Sequence, residues 1–319
     1  MLILVPALLI VAVALVPFAV PWLQVVLTVA LANGFAVLGI VVLLRAGQVS
    51  FGHAMFFVAG AYTAAFLAQG LGEVDLALLL LAGILCPVVL SLIVGAFVVR
   101  YRYIFFSMLN LAFSMVLYSI LEKFFYITGG SDGMRLDRPP FFGFEMERAP
   151  FEAAMFYLAL ALAALAGWLV QRYFASPAGQ ALAALRTNET RLEYLGISAR
   201  MMLLRGYVLS AALAGLGGTI LAVIQGVVTP AFGYWIRSGE SVFIAILGGT
   251  GHVMGAFAGA MVFELVRTYA AAFAADVWQL TLGVFLLLII LFASRGLVGL
   301  YQGLSRTVDR HGRAARGRR

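Results

Sequence analysis

Residues 1–44 contain no Asp, Glu, Lys or Arg, and neither do residues 46–72, 76–99, 103–121, 153–171, 206–236, 241–263 or 277–294. A hydrocarbon core about 30 Å thick takes about 20 helical residues, so each gap has the length of at least one span. As a single helix the first gap would be about 66 Å long. Pro21-Trp22 divides it, since proline stops a helix and tryptophan favours the membrane interface. Only 11% of the residues are charged and 64% are apolar, against about 25% charged in a soluble domain. These proportions exclude an ordinary soluble enzyme and a disordered chain.

Spans are expected at 2–20, 22–44, 52–70, 75–99, 103–125, 153–174 and 202–225. A short stretch at 238–248 comes next, interrupted by Gly248-Gly249-Thr250-Gly251, then helices at 254–273 and 277–294. The expected fold is an all-α membrane protein with about ten transmembrane or partly membrane-embedded helices. It forms one domain over 1–300, with a basic cytoplasmic tail at 301–319 and both termini on the same side. The N-terminus has no basic stretch before its apolar run, so no cleaved signal peptide is expected. Glycine-rich breaks at 47–53 and 248–252 interrupt one apolar run in each half. Such a pair suits inverted halves around a central pathway, and it suits two unrelated tight turns.

Local charge orients the spans. The 127–151 loop sets Arg135, Arg138 and Arg148 against Asp132, Asp137, Glu145 and Glu147, and reads as outside. The inner loop, 175–200 with its basic flanks Arg172 and Arg205, also carries Arg186, Arg191 and Arg200, against Glu189 and Glu193. It reads as inside, with Arg45, Arg100, Arg102 and the tail. One span separates the two loops, so the alternation is consistent. The net charge of +7 thus follows the positive-inside bias, and no nucleic-acid partner is expected.

The chain has one cysteine, Cys86, which excludes an internal disulfide, and one lysine, Lys123, in Leu-Glu-Lys-Phe-Phe. A phosphate-binding Gly-Lys-Ser/Thr loop is therefore absent. No His-Glu-x-x-His or other metal-ligand spacing occurs, and no Gly-x-Ser-x-Gly or intramembrane Asp pair. No cofactor, metal or enzymatic activity is expected.

Within the inner loop, Ser176-Pro177 is an N-cap followed by a first-turn proline. Leu182, Leu185, Glu189, Leu192 and Leu195 follow helical spacing, and Gly196 suits a C-terminal stop. One or two short amphipathic helices are expected. Arg186 with Glu189 and Thr190 with Glu193 would lace the polar face. The apolar side at 182, 185, 192 and 195 would lie on the membrane surface or fill a groove on a cytosolic partner.

These stretches resemble the permease family of branched-chain amino acid ABC importers, of the LivM type. The inner loop and Ser210-Ala211-Ala212-Leu213-Ala214-Gly215-Leu216-Gly217-Gly218 carry the likeness. So do Gly47-Gln48-Val49-Ser50-Phe51-Gly52-His53-Ala54 with Gly60-Ala61-Tyr62, and Thr128-Gly129-Gly130-Ser131-Asp132-Gly133-Met134. Leu247-Gly248-Gly249-Thr250-Gly251, Glu264-Leu265-Val266-Arg267 and Arg295-Gly296-Leu297-Val298-Gly299-Leu300 match the family's second half. The likeness covers residues 30–300; Ser294 stands where the family often has Pro, and the Arg-rich end has no counterpart. The resemblance implies an inverted-repeat importer fold in a bacterial inner membrane. It implies a second homologous permease, two cytosolic ATPases and a solute-binding protein as partners. The inner loop would couple ATP hydrolysis on those ATPases to the membrane through Leu182, Leu185, Arg186, Glu189, Leu192, Glu193 and Gly196. Urea and short-amide permeases, and carriers of aromatic carboxylates, are the neighbouring possibilities for substrate. An ion-coupled secondary transporter is the competing class.

Glu264 and Arg267 share a helix face. At membrane depth they would belong to a pathway or subunit interface; near the headgroups they would be an ordinary ion pair. Glu240 opens an apolar run and suits a first helical turn. His53 and His252 sit beside glycine at apolar breaks and suit turn or capping bonds, with a pathway role as the alternative for each. Asn33 and Asn110 lie within spans, where amides bond across helices or line a pathway. Gly129, Gly130 and Asp132 form an outer turn for docking a binding protein, or a nest for an anion.

Overall fold

A computed structural model describes residues 4–249 and 251–273, with Leu280, Thr281, Gly283, Val284 and Leu287. Helices α1 (Leu4–Ala19) and α2 (Leu23–Arg45) flank the Pro21-Trp22 break, and α3 (Ala54–Leu71), α4 (Leu76–Val98) and α5 (Tyr103–Lys123) come after. A short α6 (Phe125–Thr128) leads into the outer loop and strand β1 (Met134–Arg135). Helix α7 (Arg148–Ala175) precedes two short helices, α8 (Pro177–Ala184) and α9 (Glu189–Tyr194). The chain continues through α10 (Ala199–Gln225), β2 (Val227–Val228), a 3-10 turn at Pro230–Gly233, α11 (Trp235–Gly248) and α12 (Val253–Phe273). Among the described residues seven helices are long and apolar enough to cross a membrane: α2, α3, α4, α5, α7, α10 and α12. The expected span at 277–294 lies almost wholly outside the described residues, as does the 301–319 tail.

Two expected starts are corrected. Helix α7 begins at Arg148 rather than 153, because Arg148 pairs with Glu152 one turn on (2.7 Å) and keeps a charged first turn helical. Helix α11 begins at Trp235 rather than 238. Its Arg237 lies over the rings of Phe57 (5.0 Å) and Phe232 (4.9 Å), which accommodate the charge inside an apolar bundle.

Helix α10 is the axis, packed by α2, α3 and α4. Its glycines permit the close approach. A Cβ on Gly218 would stand 1.9 Å from the Phe57 carbonyl oxygen, and one on Gly215 2.4 Å from that of Gly83. Pro87, four residues after Gly83, has no N–H to give that carbonyl, and the Gly215 backbone packs against both. On α4, Leu76, Leu79, Leu80, Gly83, Pro87, Ser91 and Val94 face inward, while Leu81, Leu85, Val89 and Ile93 are exposed. That spacing is one helical stripe against the bundle and one against lipid.

The bundle has two distinct ends. At one, β1 pairs antiparallel with β2, Met134 opposite Val228. There the Asp75 carboxylate caps α4 at Ala77 N–H (2.8 Å) and accepts from Gly143 N–H (2.6 Å). At the other end, α8 and α9 pack on α7 and α10.

Two segments leave their ends and enter the bundle. After α2, residues 46–53 run inward until His53 Nε2 meets Ser210 Oγ (3.3 Å) and Gly52 abuts the Asn110 backbone. Asn110 lies about 10 Å along α5 from its start. From the strand end, residues 226–234 run inward until the Gly233 carbonyl accepts from Ser114 Oγ (3.1 Å). Helices α3 and α11 therefore begin side by side in the interior. Ser238 Oγ of α11 accepts from Ala54 N–H of α3 at 2.8 Å.

Candidate functional site

The 176–197 loop is built from its caps. Ser176 Oγ accepts from Gly179 N–H and Asn188 Oδ1 from Arg191 N–H. Helix α9 ends as Gly196, at φ +77°, lets Ile197 N–H reach back to the Leu192 carbonyl. Leu182, Leu185 and Leu192 are buried within the chain, and Leu182 fills the space beside Gly206. The stripe expected to face lipid or a partner is thus internal, apart from Leu195. Apolar surface is offered instead by Tyr194 (87% exposed) and Leu195 (69%). Arg186, Glu193 and Gly196 are exposed.

The expected Arg186–Glu189 lacing is also corrected. Helix α8 ends at Ala184 and α9 starts at Glu189, so the two residues do not share a helix. Glu189 forms a two-point ion pair with Arg102 at the start of α5, at 2.7 and 2.9 Å. In the sequence Arg102 is only a charge flanking a span. Arg45, on the same face, stacks 4.4 Å from the Phe174 ring.

The bundle interior holds a charged centre. Glu264 is buried, accepts from Asn33 Nδ2 (3.3 Å) and lies 4.0 Å from Arg267. Asn33 sits about 15 Å from the start of α2, so Glu264 meets it well inside the length of that helix. Arg237 lies within electrostatic reach of Glu240, Glu264 and Arg267. Two guanidiniums and two carboxylates from α11 and α12 thus gather beside α2, balanced in charge. Glu240 stands in the second turn of α11, not the first, because that helix starts three residues early. Arg237 was missed in the sequence as a residue between two apolar runs; its place beside Glu240 on a short helix was the available signal.

His53 and Asn110 belong to a second polar group. Tyr207 donates its hydroxyl to Asn110 Oδ1, and Asn110 Nδ2 donates to the Phe106 carbonyl (2.7 Å). His53 does not cap α3 with its side chain, and its Nδ1 has no hydrogen-bond partner. His252 precedes α12, its carbonyl accepting from Gly255 N–H.

At the strand end, Gly129 and Gly130 both have positive φ. The N–H groups of Asp132 and Gly133 turn onto the Gly129 carbonyl, and Gly130 N–H onto Thr128 Oγ1. These N–H groups are thus engaged within the turn itself. Gly130 is buried, while Asp132 is exposed. The same end of the bundle holds a cleft of about 720 Å³ lined by Glu73, Asp137, Arg138, Glu145, Glu147 and Arg148.

Apolar helices of spanning length around a group of charged side chains, with an ordered loop at one end, define a multi-helix membrane protein. A family model described as the permease component of branched-chain amino acid transport systems matches residues 23–293, and the chain belongs to that family. It is 28% identical to the high-affinity branched-chain amino acid transport permease LivM of Escherichia coli K12, over 79% of this chain and 64% of the relative. The chain thus spans less than two thirds of that relative's length. It is 27% identical to LivH of the same strain over 46% of this chain and 47% of LivH. BraD of Pseudomonas aeruginosa is 27% identical over 38% of this chain and 39% of its own length. No solved structure matches the chain significantly.

Proposed function

We propose that this chain is the transmembrane permease subunit of an ABC importer for branched-chain amino acids. It forms the solute pathway with a second, homologous permease in a bacterial inner membrane. Two cytosolic ATPases drive it, and a solute-binding protein delivers substrate. The family match over residues 23–293 carries this reading. The sequence supports it by lacking any Gly-Lys-Ser/Thr phosphate loop, so the ATP chemistry lies on other chains.

The 175–200 loop is the coupling element, with Tyr194-Leu195 seated in a groove of the ATPase and Arg186, Glu193 and Gly196 around it. Leu182, Leu185 and Leu192 give the loop its rigidity from within. The basic end is cytoplasmic, holds both termini and extends into the 301–319 tail. Grouping of Arg45, Arg102 and the α8–α9 loop at one end supports this orientation, as does strand pairing of the acidic loop with 227–228 at the other. The binding protein docks on the 127–151 loop around Asp132, beside the turn shaped by Gly129 and Gly130, and on the cleft at that end.

Helices α3 and α11, both starting in the interior, are the counterparts of an inverted repeat completed by about ten helices. The charged centre of Asn33, Arg237, Glu240, Glu264 and Arg267, with the His53–Asn110 group beside it, lies next to the pathway or the permease–permease contact. Urea, short amides and aromatic carboxylates are the alternative substrates for the same machinery.

Affinity purification in mild detergent, after co-expression with a neighbouring permease and ATPase pair, tests the assembly. Retention of both partners, with leucine outcompeting urea and benzoate for the associated binding protein, is the expected result. Recovery of this chain alone counts against the importer reading, and preference for urea or benzoate corrects the substrate.

A further inference from the structure

Arg102 and Glu189 lie 87 positions apart and meet in a fork, Nε to Oε2 at 2.9 Å and Nη2 to Oε1 at 2.7 Å. Their side chains are 16% and 34% exposed. A bidentate guanidinium–carboxylate contact fixes direction as well as distance. The same guanidinium donates through Nη1 to the carbonyls of Val99 and Tyr101, so it is seated firmly in the turn between α4 and α5.

The backbone is unusual at the next position. Tyr103, the first residue of α5, has φ +53°, a left-handed conformation that aromatic residues rarely adopt. Its N–H donates to Oε1 of the buried Gln48 at 2.8 Å. Further along α5, Ser107 Oγ donates to the Val49 carbonyl at 2.6 Å. The Asn110 backbone leaves no room for a Cβ on Gly52, which would stand 1.9 Å from its oxygen. The first turns of α5 and the inward-running 46–53 segment are therefore clamped at three successive points. The coupling loop touches that segment at its mouth as well. Gly47, at φ +75°, lies under the stem of Arg186, where a Cβ would come within 3.1 Å.

We propose that the Arg102–Glu189 pair is a positioning link. It carries a displacement of α9 into the start of α5 and, through Gln48, Val49 and Gly52, into the 46–53 segment that opens α3 inside the bundle. This rests on the reading of 176–197 as the ATPase-coupling loop. Neither side chain needs to touch solute; both act through α5. A partly exposed ion pair adds little to stability by itself, so a purely structural role would show as a small change in melting and nothing else.

The test uses the assembled importer, with both permeases, the ATPases and the binding protein, in proteoliposomes. The readout is leucine accumulated per ATP hydrolysed. Glu189→Gln and Arg102→Gln are each expected to lower this ratio several-fold while the ATPases stay bound. The double variant should be no worse than either single, because both remove one interaction. Arg102→Lys keeps the charge but not the fork and should fall between, and it serves should Arg102→Gln not assemble. An unchanged ratio in the single variants overturns the link, as does a double variant whose loss is the product of the two. Failure of the unsubstituted chain to bind ATPases or to transport would overturn the coupling-loop reading itself, and appears before any substitution is made.

Discussion

Glu264 is the residue on which the interior charges turn. Its carboxylate accepts from Asn33 and faces Arg267, with Arg237 and Glu240 in electrostatic reach. Glu264→Ala would leave two guanidiniums against one carboxylate. Breaking a fully buried pair costs about 3–5 kcal/mol. Arg267 keeps 34% of its side chain exposed, so a loss of about 1–3 kcal/mol is expected, closer to that of a lost polar partner. Thermal unfolding of the detergent-purified chain should show it as a midpoint lowered by several degrees. Glu264→Gln, which can still accept from Asn33, should lose less. An unchanged midpoint in the alanine variant would contradict the charged centre. The helical spacing of 264 and 267 was readable in the sequence. Asn33 and Arg237 were not readable as their neighbours, because α2 and α11 reach that point only through the fold.

Helix contacts make sharper demands. On α10, Gly218→Ala would place a methyl 1.9 Å from the Phe57 carbonyl oxygen, and backbone cannot yield as a flexible side chain does. This variant should fail to give monodisperse folded protein in size-exclusion chromatography. Gly70→Ala is the control, since nothing lies within 4 Å of its Cβ position. It should be neutral or stabilising by about 0.5–1 kcal/mol through helix propensity; equal behaviour of the two would refute the packing described for α10. Charge gaps located most helices within a few residues because desolvating a charge in lipid is costly. They could not reveal the dips at 46–53 and 226–234, which carry no charge and so leave no mark in the gaps. Nor could they place Glu189, where adjacency suggested Arg186 and the fold supplied Arg102. The inner leucines misled for a related reason: periodicity marks a buried face but does not say whether the chain or a partner buries it.

For the molecule as a whole, the orientation can be checked by thiol labelling. Cys86 is exposed on α4, so a Cys86→Ser background is needed. Thr187→Cys should then react with a membrane-impermeant maleimide only after the cytoplasmic side is opened, and Ser131→Cys in intact spheroplasts. The reverse pattern would invert the topology and remove the coupling loop from the ATPases. The most direct measurement is leucine uptake into proteoliposomes that hold this chain, its partner permease, the ATPases and the binding protein. Uptake should require ATP and the binding protein, and should vanish when 176–197 is replaced by a glycine–serine linker. Leucine uptake by this chain without ATPases, driven by a proton or sodium gradient and indifferent to that replacement, would contradict the account.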